Sequence, residues 1–296
     1  MAKSALLKSS IAKKYWMALT GLFLCLFLVG HLLGNLQLIF SDALAFNLYA
    51  LFMTTNPAVK ILSYLTYISI LFHAIDGILL AYQNQKARPV KYVMNKPERN
   101  TIWASRNMAV LGTIILVFIV THMVNFWAVM HFKKDMPLQT TTVNYMGSMQ
   151  ECYITTGTGI SRFIPVQAID GEHYKREGNK FYQVVPKDPS VSSDPKGAEK
   201  KSEDVYFAEG YKDLHKITVD FFTQPTYGLF WTIGYVLCML ALAFHLYHGF
   251  GSAFQSLGAN NPKYNGFIRK FGYAFAILVP LAFAAIPVYI HFFLHK

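Results

Sequence analysis

The sequence predicts an all-α membrane protein, a bundle of five transmembrane helices with a long polar extracytoplasmic loop between the third and fourth. Hydrophobic residues make up 53% of the 296 and charged residues only 15%, a balance that a soluble domain does not need. Five apolar segments reach the roughly 20 residues that cross a bilayer at about 1.5 Å each. The basic residues cluster at one set of segment ends, which fixes an orientation.

The spans run approximately over residues 15–40, 59–82, 108–131, 227–250 and 271–293. The first reads as a retained helix, because its apolar stretch is too long for a signal peptide and no small-residue cleavage pattern follows. The fourth is expected to continue as a helix through "GSAFQSLG", where Gly258 supplies a stop before "NNP". Lys3, Lys8, Lys13 and Lys14 precede the first span with no acid among them. Lys86, Arg88, Lys91, Lys96, Arg99 and Arg106 face Glu98 alone in the second connection, and Lys263, Arg269 and Lys270 sit in the fourth. These three sides are therefore assigned to the cytoplasm, with the N-terminus inside and the C-terminus outside. The net charge of +11 belongs mostly to that face, so it gives no reason to expect nucleic-acid binding.

The third connection, residues 132–222, is the one soluble-looking insertion, and its 12 basic and 13 acidic residues nearly balance. Its middle, "KDPSVSSDPKGAEKKSED", is polar and turn-rich and reads as a flexible excursion. The flanks "SRFIPVQAI" and "KFYQVV" read as short strands able to pair with each other. Cys25, Cys152 and Cys238 show no CxxC spacing and indicate no redox chemistry.

Histidine carries the functional signal. His31, His73, His122, His245 and His248 stand well inside apolar segments, where a polar side chain is costly without a partner. His131, His291 and His295 fall at segment ends and His173 and His215 in the loop, where solvation is explanation enough. His31 lies 17 residues beyond Lys14 and His122 lies 16 beyond Arg106, so both rise about 25 Å from the cytoplasmic ends. His73 lies 13 residues before Lys86, about 20 Å up, and His248 lies 10 before Gly258, about 15 Å up. Two pairs at two depths on four helices match two axially ligated haems stacked across a membrane. Tetrahedral zinc needs no such layering and usually recruits cysteine or carboxylate. In "ALAFHLYHGF", His245 and His248 share a helix face and one suffices. Depth favours His245, 13 residues before Gly258, while Gly249 beside His248 gives a flat ring room to approach.

With these residues in view, "WMALTGLFLCLFLVGH", "LFHA", "SRNMAVLGTIILVFIVTH" and "HLYHGFGSAFQSLG" resemble the dihaem cytochrome b membrane anchor of succinate:quinone oxidoreductases, the succinate dehydrogenase and fumarate reductase complexes. The resemblance covers all five spans, residues 13–131 and 218–293, and implies two b-type haems. His31 and His122 would bind the outer haem, and His73 and His248 the inner one. It implies a bacterial cytoplasmic membrane location and a chain with no dicarboxylate chemistry of its own. Such a chain carries a flavoprotein subunit and an iron-sulfur subunit on its cytoplasmic face and passes electrons between them and a quinone, menaquinone in the dihaem single-chain type. The long third loop departs from the compact members of that family.

Ser105 and Arg106, at the start of the third span, are candidates for haem propionate contacts, and Asn35, Gln37, Asn47 and Tyr49, at the outer end, for a quinone site. No glutamate lies between Ile39 and Lys60 to serve an outer quinone, only Asp42. Asp76 follows His73 by three residues and reads as a structural partner of that imidazole. Two other readings share parts of the pattern: a dihaem cytochrome b of a hydrogenase or nitrate reductase, and a haem-free transporter or scaffold. Internal repeats and interrupted helices, common in transporters, are missing from the sequence.

Overall fold

A computed structural model describes residues 10–87, 89–90, 96, 99, 101–145, 147–186 and 202–294. Lys3, Lys8, Arg88, Lys91, Glu98, His295 and most of the polar excursion, residues 187–201, lie outside the described residues. The chain divides into two compact units, one of residues 1–40, 53–123 and 219–296, the other of residues 41–52 and 124–218.

The first unit is helical. Its long helices are α1 (Ser10–Phe40), α3 (Pro57–Lys86), α5 (Met108–His122), α8 (Gly228–Ser256) and α9 (Pro262–Phe293), with the single turn α4 (Trp103–Arg106) ahead of α5. Five helices are long and apolar enough to cross a membrane, at residues 11–40, 57–86, 108–132, 228–256 and 262–293. The multi-pass expectation holds at that level, with ends set by local chemistry. Asn56 caps α3 by accepting from the Ala58 and Val59 amides at 2.9 and 3.3 Å, with Pro57 in the first turn where its missing N–H costs nothing. Asn261 and Pro262 repeat the device at α9, which starts nine residues earlier than hydropathy alone suggests. Helix α8 stops at Ser256, and Gly258 takes the left-handed φ of +82° that a helix end of this kind requires.

Helix α8 is central, packing on α9, α1 and α5, while α3 packs on α1 and α5. Met239, Leu242, Leu246 and Ala276 form the core, with Leu28, Ile115, Phe118 and Phe283 against it. Gly272 lets α9 close on α8, since a methyl group there would stand 2.8 Å from the Phe250 ring. The outer surface is unusually apolar, with Leu26 69% and Phe267 70% exposed, an arrangement stable only where lipid replaces water.

The second unit holds the N-terminal part of α2 (Ala43–Thr55), a π-helical turn (Met123–Ala128) followed by α6 (Val129–Phe132), six strands and the start of α7 (Leu214–Thr223). Strands β1 (Thr140–Tyr145), β2 (Ser148–Ile154) and β3 (Phe163–Pro165) form one antiparallel sheet, and β4 (Tyr174–Glu177), β5 (Lys180–Pro186) and β6 (Ser202–Glu209) another. The all-α expectation therefore describes the spans and not this insertion. "SRFIPVQAI" and "KFYQVV" do contain strands, but β3 pairs with β2 and β5 with β4 and β6, so the expected mutual pairing is corrected. Local closure explains the choice: Glu177 pairs with Lys180 across a two-residue Gly178–Asn179 turn, with Gly178 at φ +63°. Leu138, Ile164 and Phe181 make the small core, and Arg176 braces it by donating to the carbonyls of Met136 at 2.7 Å and Gly178 at 2.8 Å.

Candidate functional site: two imidazole pairs in the helical unit

Four of the five histidines within the spans, all half-buried, meet in two pairs. His31 on α1 and His122 on α5 have ring centres 5.9 Å apart with planes at 87°, and His73 on α3 and His245 on α8 have ring centres 6.2 Å apart at 71°. The near-perpendicular planes and the similar spacing recur although the four rings come from four helices.

The His31–His122 pair sits in an aromatic box. Phe27 stacks on His31 at 5.2 Å, Phe283 approaches it at 5.7 Å, and Phe118 stacks on His122 at 5.6 Å. Asn35, one turn after His31, donates through Nδ2 to the His31 carbonyl at 2.8 Å and lies 3.4 Å from its Nδ1. The Tyr235 hydroxyl lies 3.4 Å from Nδ1 of His122. In both imidazoles, then, Nδ1 faces a polar neighbour.

At the second pair the Thr20 hydroxyl lies 3.3 Å from Nδ1 of His73. Nδ1 of His245 is buried with no hydrogen-bond partner among the described residues, a cost that a helix interior does not usually carry. Glycines border both rings. A methyl group on Gly21 would stand 3.1 Å from Cε1 of His73, and one on Gly112 would stand 3.7 Å from Cε1 of His245.

His248 does not face His73. Its Nε2 lies 3.3 Å from the Ser252 hydroxyl, and it lines a cavity of about 430 Å³ with Gln255, Asn265, Arg269 and Tyr273. The resemblance implies His248 as the partner of His73, whereas helix depth favours His245; the ring placed beside His73 is that of His245. Three residues along an α-helix leave two side chains about 60° apart in direction and about 4.5 Å apart along the axis, and here that offset sets His245 beside His73 and His248 beside Ser252.

The polar candidates separate in the same way. Asn47 is 1% exposed in the second unit, where it donates to Oε1 of Gln139 at 2.6 Å and Oδ1 of Asp213 at 2.8 Å and accepts from the His215 amide at 2.9 Å. Both amide hydrogens are thereby used within the fold, which leaves no donor to offer a quinone headgroup. Gln37 and Tyr49 are half-buried, and Asp76 is half-buried one turn from His73. Arg106 is exposed and donates locally to the Thr101 carbonyl at 2.7 Å, while Ser105 is half-buried beside it. Asn35 alone of this group reaches a histidine ring.

Thr20, Gly21, Gly112 and Tyr235 were not singled out from the sequence. Thr20 was within reach of it: 11 residues before His31 is three turns and about 20°, so a hydroxyl stands on the histidine face of α1 at a lower level. Asn125, in the π-helical turn, is a second missed group, its Nδ2 buried without a partner among the described residues.

Each pair brings together two imidazole rings from different helices. A metal–imidazole bond is about 2 Å and a ring nitrogen lies about 1.1 Å from its ring centre, so two axial imidazoles on one metal place their centres roughly 6.3 Å apart. Among the described residues no three His, Cys, Asp or Glu side chains come together in a group that could hold a metal ion. Comparison with protein-family models, with curated proteins and with solved structures returned no match.

Proposed function

We propose that this chain is the dihaem cytochrome b membrane anchor of a succinate dehydrogenase or fumarate reductase complex, passing electrons between an iron-sulfur subunit and a membrane quinone such as menaquinone. The observation that carries the reading is the repeated imidazole pair, with ring centres 5.9 and 6.2 Å apart on four apolar helices. Both spacings lie close to what an iron with two axial imidazoles demands. Iron porphyrin with two axial imidazoles supplies one-electron transfer with no open position for oxygen.

In this reading His31 and His122 hold the outer haem and His73 and His245 the inner one, with His245 taking the role that the resemblance implies for His248. Neutral imidazole is the form that ligates iron. Phe27, Phe118 and Phe283 exclude water from the outer site. Asn35 and Tyr235 orient its ligands through Nδ1. The lysine- and arginine-rich connections face the bacterial cytoplasm and receive the flavoprotein and iron-sulfur subunits, placing residues 132–222 outside. The test is to purify the chain from its native membrane and add succinate under anaerobic conditions. Co-purifying flavin and succinate-dependent reduction of the b haems are expected; haem reduced by hydrogen or formate and indifferent to succinate would assign the chain to another respiratory complex.

A further inference from the structure

Helix α1 contributes one ligand, His31, to the outer pair, and its inner end presses on the second pair through Thr20 and Gly21. Thr20 is 6% exposed, and its hydroxyl lies 2.9 Å from the Trp16 carbonyl, 3.1 Å from the Met17 carbonyl and 3.3 Å from Nδ1 of His73. A hydroxyl has one hydrogen. In a helix that hydrogen goes to a carbonyl one turn back, here at the two shorter distances, so the oxygen faces His73 as an acceptor. The Thr20 oxygen is thus the polar neighbour that α1 presents to Nδ1 of His73.

We infer that Thr20 is a positioning residue for His73, holding the proton on Nδ1 so that Nε2 keeps its lone pair for iron. The inference rests on the haem reading above. An acceptor at Nδ1 fixes the tautomer and ring orientation and makes the imidazole a stronger donor to its metal. A stronger donor favours the ferric state, so Thr20 lowers the midpoint potential of the haem ligated by His73 and His245. The partner ligand lacks this help, because Nδ1 of His245 has no acceptor among the described residues. Gly21 is what allows the approach: its missing side chain lets α1 come within 3.1 Å, measured to the methyl position, of Cε1 of His73.

The experiment is a potentiometric titration of the intact membrane-purified protein, wild type against Thr20→Val and Thr20→Ser, following both haems by absorbance and by low-temperature EPR. Valine keeps the shape and removes the oxygen, and the packing of α1 on α3 remains to hold the ring, so both haems should stay bound. The expected result is an upward shift of one midpoint in Thr20→Val, with a changed low-spin EPR signal for that haem alone, and a wild-type midpoint in Thr20→Ser. Two bound haems with unchanged midpoints in Thr20→Val would overturn the role of Thr20 while leaving the haem reading intact. Equal shifts of both haems, or no rescue by serine, would equally overturn it. A wild-type protein without haem would overturn the underlying reading instead.

Discussion

Asn47 is buried and His245 is half-buried with its Nδ1 shut off from solvent, and the fold treats them oppositely. Around Asn47 every amide hydrogen and the oxygen find partners at 2.6 to 2.9 Å, contributed from Gln139, Asp213 and the His215 backbone. Around His245 the nearest polar ring belongs to another histidine, and Nδ1 is left unpaired. A satisfied buried amide stabilises a fold, whereas an unsatisfied buried imidazole costs stability and persists where something other than folding requires it. The difference assigns Asn47 to architecture and leaves the unpaired Nδ1 of His245 without a folding role.

Removing the histidines one at a time is the strongest way to break that contrast. Alanine at His31, His73, His122 or His245 is expected to abolish one haem per chain, and alanine at His248 to leave both, measured by haem extraction against protein concentration. Loss of the inner haem in His248→Ala with retention in His245→Ala would reverse the pairing seen between α3 and α8. Asn47→Ala should do the opposite: it leaves haem content unchanged but strands Gln139, Asp213 and the His215 amide, and destabilises the second unit by about 2–4 kcal/mol. Limited proteolysis with increasing denaturant would measure it.

Glycine substitutions sharpen the comparison at smaller amplitude. Gly21→Ala forces His73 to move by some tenths of an ångström and should alter the spectrum of one haem, whereas Gly30→Ala, whose methyl group meets nothing within 4 Å, should be spectrally silent. The smallest effect expected is that of pH on the second unit. Burial lowers the His215 pKa below its usual 6.5, so the folded unit binds this proton more weakly than the unfolded chain. Stability from this group is complete above pH 6.5 and declines as pH falls through it. His173 runs the other way, since the Asp170 carboxylate 2.8 Å away raises its pKa and favours the folded state at low pH. His215→Gln should flatten the acid-side loss seen in thermal unfolding, while keeping the backbone bond to Asn47.

Much of this was legible in residues and some of it could not be. The five spans follow from apolar length, and the pairing of His31 with His122 follows from counting rise along two helices. The choice of His245 over His248 did not, because depth separates them by only a few ångströms and the decision lies in the azimuth of α8 against α3. Asn47 looked like a headgroup donor because Gln139 and Asp213 stand 92 and 166 residues away, and no local pattern reveals such partners. The strands of the insertion were partly visible as β-branched and aromatic runs, but their pairing was set by short hairpin closures. Thr20 was hidden by the ordinary habit of threonine to bond its own helix, which here leaves its oxygen facing an imidazole.

The most direct test of the central claim is a dithionite-reduced minus oxidised spectrum of the purified protein, with haem quantified per chain. Two low-spin b haems per chain are predicted. A protein purified under haem-replete conditions with no haem absorbance would contradict the account.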